Sequence, residues 1–345
     1  MGVALTELLL IKEINLEFLK NKVLAVDAPM WLYQFLSSIR QRDGSLLIDS
    51  KGNVTSHLMG LLTRVSNLTR QNIKLVFVFD GEPPKLKHST LEKRKEIKLE
   101  AQRNFEKAKE RADAELMRKY ASRTSRLTGD MIGEAKNLIE AFGLPVVEAP
   151  SEAEAQASLI VKNNDAFALA TNDADALLFE APLIVRNLNM AGKKKKTNKL
   201  SYETISPDII NLDDNLKHLG ISQEQLIALA MLIGTDYNSG GIKGIGPKTA
   251  LKLVKRHKND FEGLFIDTKW NDSFEFSWRE VFDLIKNIPV NEKYELKWKP
   301  IDEERIMRLL VGEHDFSEER VKMQIEGLTD KKTKKMQTGL SDFFG

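Results

Sequence analysis

Three short apolar segments that run into aspartate constrain the fold of this chain more than any other feature. They span residues 22–26, 74–79 and 166–170 and contain β-branched or aromatic residues or small apolar ones, a composition typical of buried strands. A stretch with helical periodicity follows each of them. This alternation predicts an α/β fold with a mostly parallel central sheet flanked by helices.

Acidic residues follow all three predicted strands. Asp27 follows the first, Asp80 follows the second, and Asp173 and Asp175 lie just after the third. Because the carboxyl ends of parallel strands lie side by side at the edge where such folds bind ligands, we expect these four carboxylates to converge. A single aspartate after a strand is more often a turn former or a helix cap, so the prediction depends on their joint occurrence.

Three further acids extend this set. Glu152 and Glu154 follow a fourth strand candidate at residues 144–147, and Asp236 follows an apolar helix predicted at residues 223–233. The Ser151–Glu154 spacing also fits a capping box, in which Glu154 would reach back to the first N–H groups of a helix. For that pair alone, the structural interpretation is the stronger one.

The acidic set is most readily explained by bound metal ions. Seven carboxylates close together raise one another's pKa unless cations cancel their charge. The chain has no cysteine and only five histidines, so the metal must be held by oxygen, which favours Mg²⁺ or Mn²⁺. Seven acids exceed the need of one ion and predict two Mg²⁺ ions about 4 Å apart, as used for in-line attack at phosphodiesters. The predicted ligands are Asp27, Asp80, Glu152, Glu154, Asp173, Asp175 and Asp236.

A basic segment and an aromatic residue are candidates for contact with the substrate. Residues 85–126 contain 14 Lys and Arg against 7 Asp and Glu. Lys87 and Arg94 lie seven residues apart, so both face one way on a helix and could reach a scissile phosphate; a solvated helix face is the alternative. Tyr33 either stacks on a base or packs in the core beside Phe35. We assign catalytic roles to Lys87, Arg94 and Tyr33.

A glycine-rich hairpin between two predicted helices is a candidate phosphate-binding element. Gly244 and Gly246 precede a helix start and would present free N–H groups to a phosphate without reading sequence. Lys243, Lys248 and Lys252 add positive charge. The alternative is a plain helix–helix turn. A P-loop is excluded because Pro247 separates Gly246 from the next lysine, and the dinucleotide-binding pattern lacks its third glycine.

The C-terminal segment has the composition of a flexible tail from residue 329 to residue 345. Within residues 337–344, one tight turn would bring together an apolar plug and a polar anchor suited to a partner's groove. These residues are Gln337, Leu340, Phe343 and Phe344.

Together these residues resemble the flap endonuclease family of structure-specific 5′ nucleases, and the resemblance covers nearly the whole chain. The motifs that carry it are Asp27-Ala28, Tyr33-Gln-Phe-Leu36, Thr55-Ser-His-Leu-Met-Gly60, Val78-Phe-Asp-Gly-Glu-Pro-Pro84, Ala149-Pro-Ser-Glu-Ala-Glu154, Asp173-Ala-Asp175, Gly234-Thr-Asp-Tyr-Asn238, Gly244-Ile-Gly-Pro247 and the terminal peptide. The chain departs from the usual family pattern at three positions. Glycine is usual at the positions of Ala153 and Glu180, and a residue larger than alanine is common at the position of Ala174.

The resemblance implies a two-metal site on the same seven acids and a helical arch at about residues 85–126 that admits a single-stranded 5′ flap. It implies a helix-hairpin-helix type DNA-binding element at about residues 223–258, with K⁺ seated at the hairpin. It places Thr55 in a pocket for a one-nucleotide 3′ flap and Arg40 and Arg64 against DNA. The terminal peptide would bind the DNA sliding clamp (PCNA).

We therefore expect one nuclease domain at residues 1–328 followed by the tail. The predicted function is a Mg²⁺-dependent 5′ flap endonuclease with 5′–3′ exonuclease action on branched DNA in replication and repair. The alternatives are a sibling 5′ exonuclease or junction resolvase and a non-catalytic clamp-tethered DNA-binding factor. No apolar run approaches the roughly 18 residues that span a bilayer, so we expect no membrane partner. A monomer in the cytoplasm of an archaeon, associated with the nucleoid, is predicted.

Overall fold

The computed structural model describes residues 5–41, 43–111, 113, 116, 120, 124–188, 192–195 and 202–328. The predicted clamp peptide at residues 337–344 and the rest of the tail lie outside the described residues. No helix within the described part of the chain is long and apolar enough to cross a membrane.

A seven-stranded sheet forms the centre of the part of the chain that the structure describes, with the strand order β1-β9-β6-β5-β2-β3-β4. Strands β2 to β6 are parallel to their neighbours, whereas β9 is antiparallel to both β6 and β1. A separate hairpin pairs β7 with β8. The strands are β1 (Lys12–Glu13), β2 (Val23–Asp27), β3 (Lys74–Phe79), β4 (Val146–Glu148), β5 (Ala168–Ala170), β6 (Leu183–Arg186), β7 (Gly192–Lys195), β8 (Tyr202–Ile205) and β9 (Asp208–Asn211). The predicted mostly parallel sheet is thus confirmed.

Helices follow the strands and cover both faces of the sheet. The helices are α1 (Ala28–Ser38), α2 (Ser56–Arg70), α3 (His88–Glu110), α4 (Gly129–Ala141), α5 (Ala153–Lys162), α6 (Leu212–Leu219), α7 (Gln223–Ile233), α8 (Pro247–His257), α9 (Phe261–Asp267), α10 (Trp270–Ser273), α11 (Trp278–Lys286) and α12 (Glu303–Met307), the last continuing as a π-helix, Arg308–Glu313. Short 3₁₀ turns lie at Thr6–Leu8, Leu16–Leu19, Lys85–Lys87 and Ala174–Leu177.

The hydrophobic core consists of one cluster on each face of the sheet. Alternate residues of β2 point to opposite faces, so Ala25 packs in one cluster while Leu24 and Val26 pack in the other. Helices α5, α7 and α8 bury their apolar sides in the first cluster, and α1, α2 and α4 do so in the second. The sheet is therefore covered on both faces, which leaves its edge at the strand ends for ligands.

Two predicted elements flank that edge. Helix α3 is the part of the predicted arch that the structure describes continuously, and much of the remainder of that arch lies outside the described residues. The predicted helix-hairpin-helix element consists of α7, a glycine-rich turn and α8. Gly241 has a φ of 59°, and a Cβ atom there would lie 2.2 Å from the carbonyl oxygen of Ile233, so this turn requires glycine.

Candidate metal centre and nucleic-acid interface

Strand order brings the predicted carboxylates to one edge of the sheet. Asp27 is the last residue of β2, and β2 pairs in parallel with both β3 and β5. Asp80 directly follows β3, and Asp173 follows β5 as the N-cap of the short 3₁₀ turn that contains Asp175. The three strand ends are therefore adjacent, as the sequence predicted.

Asp27 and Glu154 are held in a buried environment around one hydroxyl group. The Thr171 hydroxyl oxygen lies 3.1 Å from Asp27 Oδ2 and 3.0 Å from Glu154 Oε1. Asp27 Oδ1 also accepts the main-chain N–H of Met30 at 3.1 Å. Burial, together with the Asp80 carboxylate, raises the pKa of Asp27 to about 7, although the hydrogen bonds from Met30 and Thr171 oppose the rise.

The pKa of Glu154 is raised by the same two causes, burial and neighbouring carboxylates. Burial raises the pKa of Glu154 well above its usual value, and the carboxylates of Asp173, Asp27 and Asp175 add to the rise. Carboxylates that raise one another's pKa in this way lack compensating positive charge. The side chains present around Asp27 and Glu154 do not supply enough of it.

The capping-box interpretation of Ser151–Glu154 is wrong. Helix α5 begins at Ala153, Glu152 is its N-cap without a side-chain cap bond, and the Glu154 side chain turns to Thr171 instead. The first N–H of the helix is satisfied from another strand end, because Asp80 Oδ1 accepts the Ala153 N–H at 2.7 Å. Both glutamates are therefore free of a capping role and face the cluster.

Lys87 and Arg94 both contact the acidic cluster from the base of α3. Lys87 Nζ lies 2.5 Å from Glu152 Oε2 and 3.7 Å from Asp236 Oδ2, and the Arg94 guanidinium donates to Asp236 Oδ1 at 2.5 Å. Burial alone would lower the pKa of Lys87, but the carboxylates of Glu152 and Asp236 outweigh it and raise the pKa. The predicted common face of Lys87 and Arg94 is confirmed, and it points at the carboxylates.

The donor chemistry of the cluster fits a hard divalent cation. Within the described residues, no three acidic, histidine or cysteine side chains are already arranged as a metal-binding group. However, Glu152 Oε1 is buried without a hydrogen-bond partner, and burial raises the pKa of Glu152 despite the adjacent Lys87 ammonium. An orphaned carboxylate oxygen among other uncompensated carboxylates is a site that cations stabilise.

Tyr33 lies on α1 at the rim of the site and is 39% exposed. The alternative of a core aromatic is wrong for this residue, since Phe35 occupies the core instead with 4% exposure. The Lys98 ammonium of α3 lies 4.5 Å from the centre of the Tyr33 ring. Lys98 therefore makes a cation–π contact with the ring, while the exposure of Tyr33 leaves part of the ring open to solvent at the boundary between α1 and α3.

The other predicted DNA contacts have varied environments. Thr55 is 6% exposed and immediately precedes α2. Arg40 donates to the Gly44 carbonyl and the Ser125 hydroxyl, and burial lowers the pKa of Arg40. Burial also lowers the pKa of Arg64, which lies within α2. Arg40, Thr55 and Arg64 are therefore partly or wholly buried, unlike a lysine that is surrounded by solvent.

The glycine-rich hairpin presents charge to solvent. Lys243, Lys248 and Lys252 are exposed on the turn and the first turns of α8. Gly244 has a φ of 86°, which side-chain-bearing residues rarely adopt, and Gly246 is the N-cap of α8. The main-chain N–H groups at this helix start and the lysines lie on the same element, as predicted.

Two residues that contact the site were not predicted from the sequence. Thr171 bridges two carboxylates, and the Thr90 hydroxyl of α3 donates to the Asp236 carbonyl at 2.7 Å. Thr90 lies three residues after Lys87 and four before Arg94, so the helical spacing that grouped those two could have included it. No sequence signal distinguishes Thr171 from any other hydroxyl residue after a strand.

Comparisons with known proteins agree with this geometry. The chain matches the XPG N-terminal domain over residues 2–101 and the XPG I-region over residues 143–236. It is 46% identical over 345 residues to flap endonuclease 1 of Thermococcus onnurineus, covering 100% of this chain and 99% of the relative. It is 48% identical over 328 residues to flap endonuclease 1 of Pyrococcus abyssi, covering 95% and 94%.

A solved structure of flap endonuclease-1 from Methanococcus jannaschii has the same fold. It superposes with a TM-score of 0.74 at 40% sequence identity and covers 95% of this chain and 98% of that structure. Similarity of this extent over nearly the full length, together with carboxylates at the shared sheet edge, establishes the family. The chain belongs to the flap endonuclease family and is a metal-dependent nuclease that hydrolyses phosphodiester bonds in DNA.

Proposed function

We propose that this protein is a Mg²⁺-dependent 5′ flap endonuclease with 5′–3′ exonuclease action that serves DNA replication and repair. The observation that carries the proposal is the meeting of Lys87 and Arg94, at the base of α3, with Glu152 and Asp236. Phosphate-binding cations and metal-binding anions thus share one edge of the sheet. A flap presented between α3 and this edge would have its phosphodiester within reach of both.

The proposed metal ligands are the seven acids predicted from the sequence, and the proposed ions are two Mg²⁺, with Mn²⁺ as a substitute. Bound ions of this kind lower the pKa of a water ligand and stabilise negative charge on a phosphodiester. Support comes from the uncompensated carboxylates of Asp27 and Glu154 and from the orphaned oxygen of Glu152. No side-chain nucleophile is required in this arrangement.

The roles of the basic and aromatic residues follow from their positions. Lys87 and Arg94 would orient the scissile phosphate by charge-assisted hydrogen bonds once their present carboxylate partners bind cations. Tyr33 would stack on a base of the substrate at the rim, and its exposure supports this role. Each residue binds or orients the substrate, and none needs to exchange a proton with it.

The duplex on either side of the flap would rest on a wider surface. We assign duplex phosphates to the hairpin, through Lys243, Gly244, Gly246, Lys248 and Lys252, with K⁺ at its main-chain turn. Arg40, Thr55 and Arg64 are assigned to the other side, where Thr55 would line the pocket for a 3′ nucleotide. The exposed lysines on the hairpin support the first assignment.

Partners and organisation complete the proposal. Residues 1–328 would form one nuclease domain that acts as a monomer. Within the tail, Gln337, Leu340, Phe343 and Phe344 would bind the sliding clamp. The protein would work at the nucleoid in the cytoplasm.

Replacement of one predicted ligand tests the proposal. Asp173→Ala and Asp236→Ala should abolish cleavage of a flap oligonucleotide in Mg²⁺ while leaving its binding in Ca²⁺ nearly unchanged. Asp283→Ala, at an exposed position on α11, is the matched control and should cleave as the wild type does. Retained turnover in both site variants would refute the metal assignment.

A second measurement tests the substrate class. A bulky group on the 5′ end of the flap should slow cleavage, because the proposed enzyme threads that end beneath α3. Equal rates with blocked and free ends would instead favour a junction resolvase of the same superfamily.

A further inference from the structure

The hydroxyl group of Thr171 occupies a central position among the acidic residues, and the roles assigned above do not use it. Thr171 lies immediately after β5 and is 1% exposed. Its oxygen is 3.1 Å from Asp27 Oδ2, 3.0 Å from Glu154 Oε1 and 3.2 Å from the main-chain nitrogen of Asp173. One side-chain atom therefore contacts three of the seven predicted ligand residues.

The hydrogen-bonding capacity of a hydroxyl group limits what Thr171 can do at this position. A threonine hydroxyl carries one hydrogen and two acceptor lone pairs. The Asp173 N–H occupies one lone pair, so the single hydrogen remains for the two carboxylates. Thr171 can thus donate to only one carboxylate at a time, and the other keeps an oxygen directed at the same point without a donor from this residue.

The contacts of Thr171 join elements that are distant in the chain. Asp27 ends β2 and Glu154 lies in the first turn of α5, whereas Thr171 and Asp173 follow β5. The β-branched side chain of threonine has few χ1 rotamers, so a fixed main chain leaves the hydroxyl group only a few possible positions. Through Thr171, the orientation of each carboxylate depends on the position of the other two elements.

We infer that Thr171 is a positioning residue for divalent cations, which it serves by orienting the carboxylates of Asp27 and Glu154. This inference rests on the metal site of the proposed function. Residues that hydrogen-bond to metal ligands fix the ligand geometry, and their removal typically weakens metal affinity about 10- to 100-fold. We assign Thr171 no direct contact with an ion: its hydrogen is shared between the two carboxylates and one of its lone pairs accepts the Asp173 N–H.

Direct binding of Mn²⁺ to the full-length protein without DNA tests the inference, with MnCl₂ as the probe and calorimetry as the readout. Thr171→Val keeps the shape of the side chain and removes the hydroxyl group, and it should bind Mn²⁺ about 10- to 100-fold more weakly. Thr171→Ser restores the hydroxyl group and should bind with nearly the wild-type affinity. Binding by Thr171→Val equal to that of the wild type would overturn the inference.

A matched control separates this role from simple loss of a buried hydroxyl group. Thr268 is also buried, and its hydroxyl group donates to the Leu264 carbonyl within α9. Thr268→Val should therefore lower the thermal midpoint without changing Mn²⁺ affinity. If Thr171→Val does not fold, Thr171→Ala replaces it, and each variant is checked by circular dichroism before binding is measured.

Thermal unfolding with and without Mn²⁺ supplies an independent readout. At a fixed concentration, a ligand that binds only the folded state raises the midpoint, and the rise grows with the logarithm of its affinity. A positioning role reduces the rise caused by Mn²⁺ in Thr171→Val, whereas a purely structural role lowers the midpoint equally in EDTA and in Mn²⁺. The latter result would contradict the inference.

Failure of the inference is distinguishable from failure of the proposed function. Asp173→Ala should lose Mn²⁺ binding if the metal site is correct. If Asp173→Ala binds poorly while Thr171→Val binds like the wild type, only the role of Thr171 is wrong. If Asp173→Ala binds Mn²⁺ as tightly as the wild type, the metal site itself is wrong.

Discussion

Lys87 Nζ lies 2.5 Å from Glu152 Oε2 and is 3.7 Å from Asp236 Oδ2, so one ammonium group of the arch contacts two predicted metal ligands. These two acids belong to different segments, one at the start of α5 and one after α7. The base of α3 is therefore held to the site by the same carboxylates that would bind cations. A cation bound by Glu152, as proposed, would compete with Lys87 for this carboxylate, and the phosphate of the substrate would then offer Lys87 a new partner.

Loss of this lysine should affect catalysis more than binding. We expect Lys87→Met to lower the single-turnover cleavage rate about 100-fold or more, which is the usual cost of removing one group that stabilises developing charge. The affinity for flap DNA, measured by fluorescence anisotropy in Ca²⁺, should change little because many other phosphate contacts remain. Lys85→Met is the control, since Lys85 is exposed two residues earlier. A similar loss of rate in both variants would point to general charge rather than to this contact.

The stability of the loop before α2 should depend on pH through Asp49. Its carboxylate accepts hydrogen bonds from the N–H groups of Lys51 and Asn53 and from the Asn53 side chain, and it lies 3.0 Å from His314 Nδ1. Desolvation alone would raise the pKa of Asp49, but the hydrogen bonds from Asn53 and His314 outweigh it and lower the pKa to about 2.

A lowered pKa in the folded state means that the ionised form contributes stability above the unfolded value, which is 3.8. That contribution is lost as the pH falls from about 4 towards 2. Asp49→Asn should therefore unfold at lower urea than the wild type at pH 7, and the difference should shrink below pH 4. The exposed Asp283→Asn is the control. A difference that is constant with pH would show that ionisation of Asp49 is not the cause.

Glu180 is a local source of backbone strain. Its φ is 60°, a left-handed conformation that favours glycine, and its side chain forms an exposed ion pair with Lys162. We expect Glu180→Gly to be more stable than Glu180→Ala by about 1 kcal/mol, because both lose the ion pair but only glycine relieves the strain. Urea unfolding of the two variants measures this directly. Equal stability would mean that the surrounding turn already accommodates a Cβ atom.

The hairpin lysines should contribute electrostatic, sequence-independent affinity. Removing Lys243 and Lys248 together should reduce the slope of log affinity against log salt by about 2 for duplex binding. Sequence preference should not change, since phosphate contacts carry no sequence information. A double variant at Lys217 and Lys293, which are exposed outside the hairpin, is the control. An unchanged slope after loss of the hairpin lysines would place the phosphates elsewhere.

The proposed clamp peptide can be tested by truncation. A chain that ends at Leu328 should cleave free flap oligonucleotides at nearly the wild-type rate and should no longer be stimulated by a sliding clamp. The combined Phe343→Ala and Phe344→Ala variant should show the same loss with the tail retained. Stimulation of both variants to the wild-type level would exclude this role for the tail.

Much of the sheet edge is predictable from sequence because it depends on short-range patterns. Asp27 and Asp80 follow apolar strands, and parallel topology then brings them together without further information. The spacing of Ser151 and Glu154 wrongly predicted a capping box, because that pattern requires only four neighbouring residues. The actual partner of Glu154 is Thr171, which follows a strand distant in the chain. The cap on α5 shows the same limit, because Asp80 supplies it across 73 residues of chain.

Sequence patterns also do not predict which of two aromatic side chains on a helix is exposed. Tyr33 and Phe35 lie on one helix two residues apart, and the sequence leaves open which of them enters the core. Only the packing of α1 against the sheet decides it. The bridging position of Thr171 likewise requires the placement of three separate elements.

Three contacts connect the start of α3 to the site. They are made by Lys87, which is the N-cap of α3, and by Thr90 and Arg94, at intervals of three and four residues. One inserted residue between the first and the last would rotate everything beyond it by about 100° and advance it by about 1.5 Å. Arg94 would then miss Asp236. Insertions and deletions in this arch can therefore accumulate only after Arg94, so related enzymes that differ in arch length should keep an identical count of residues between these two cations.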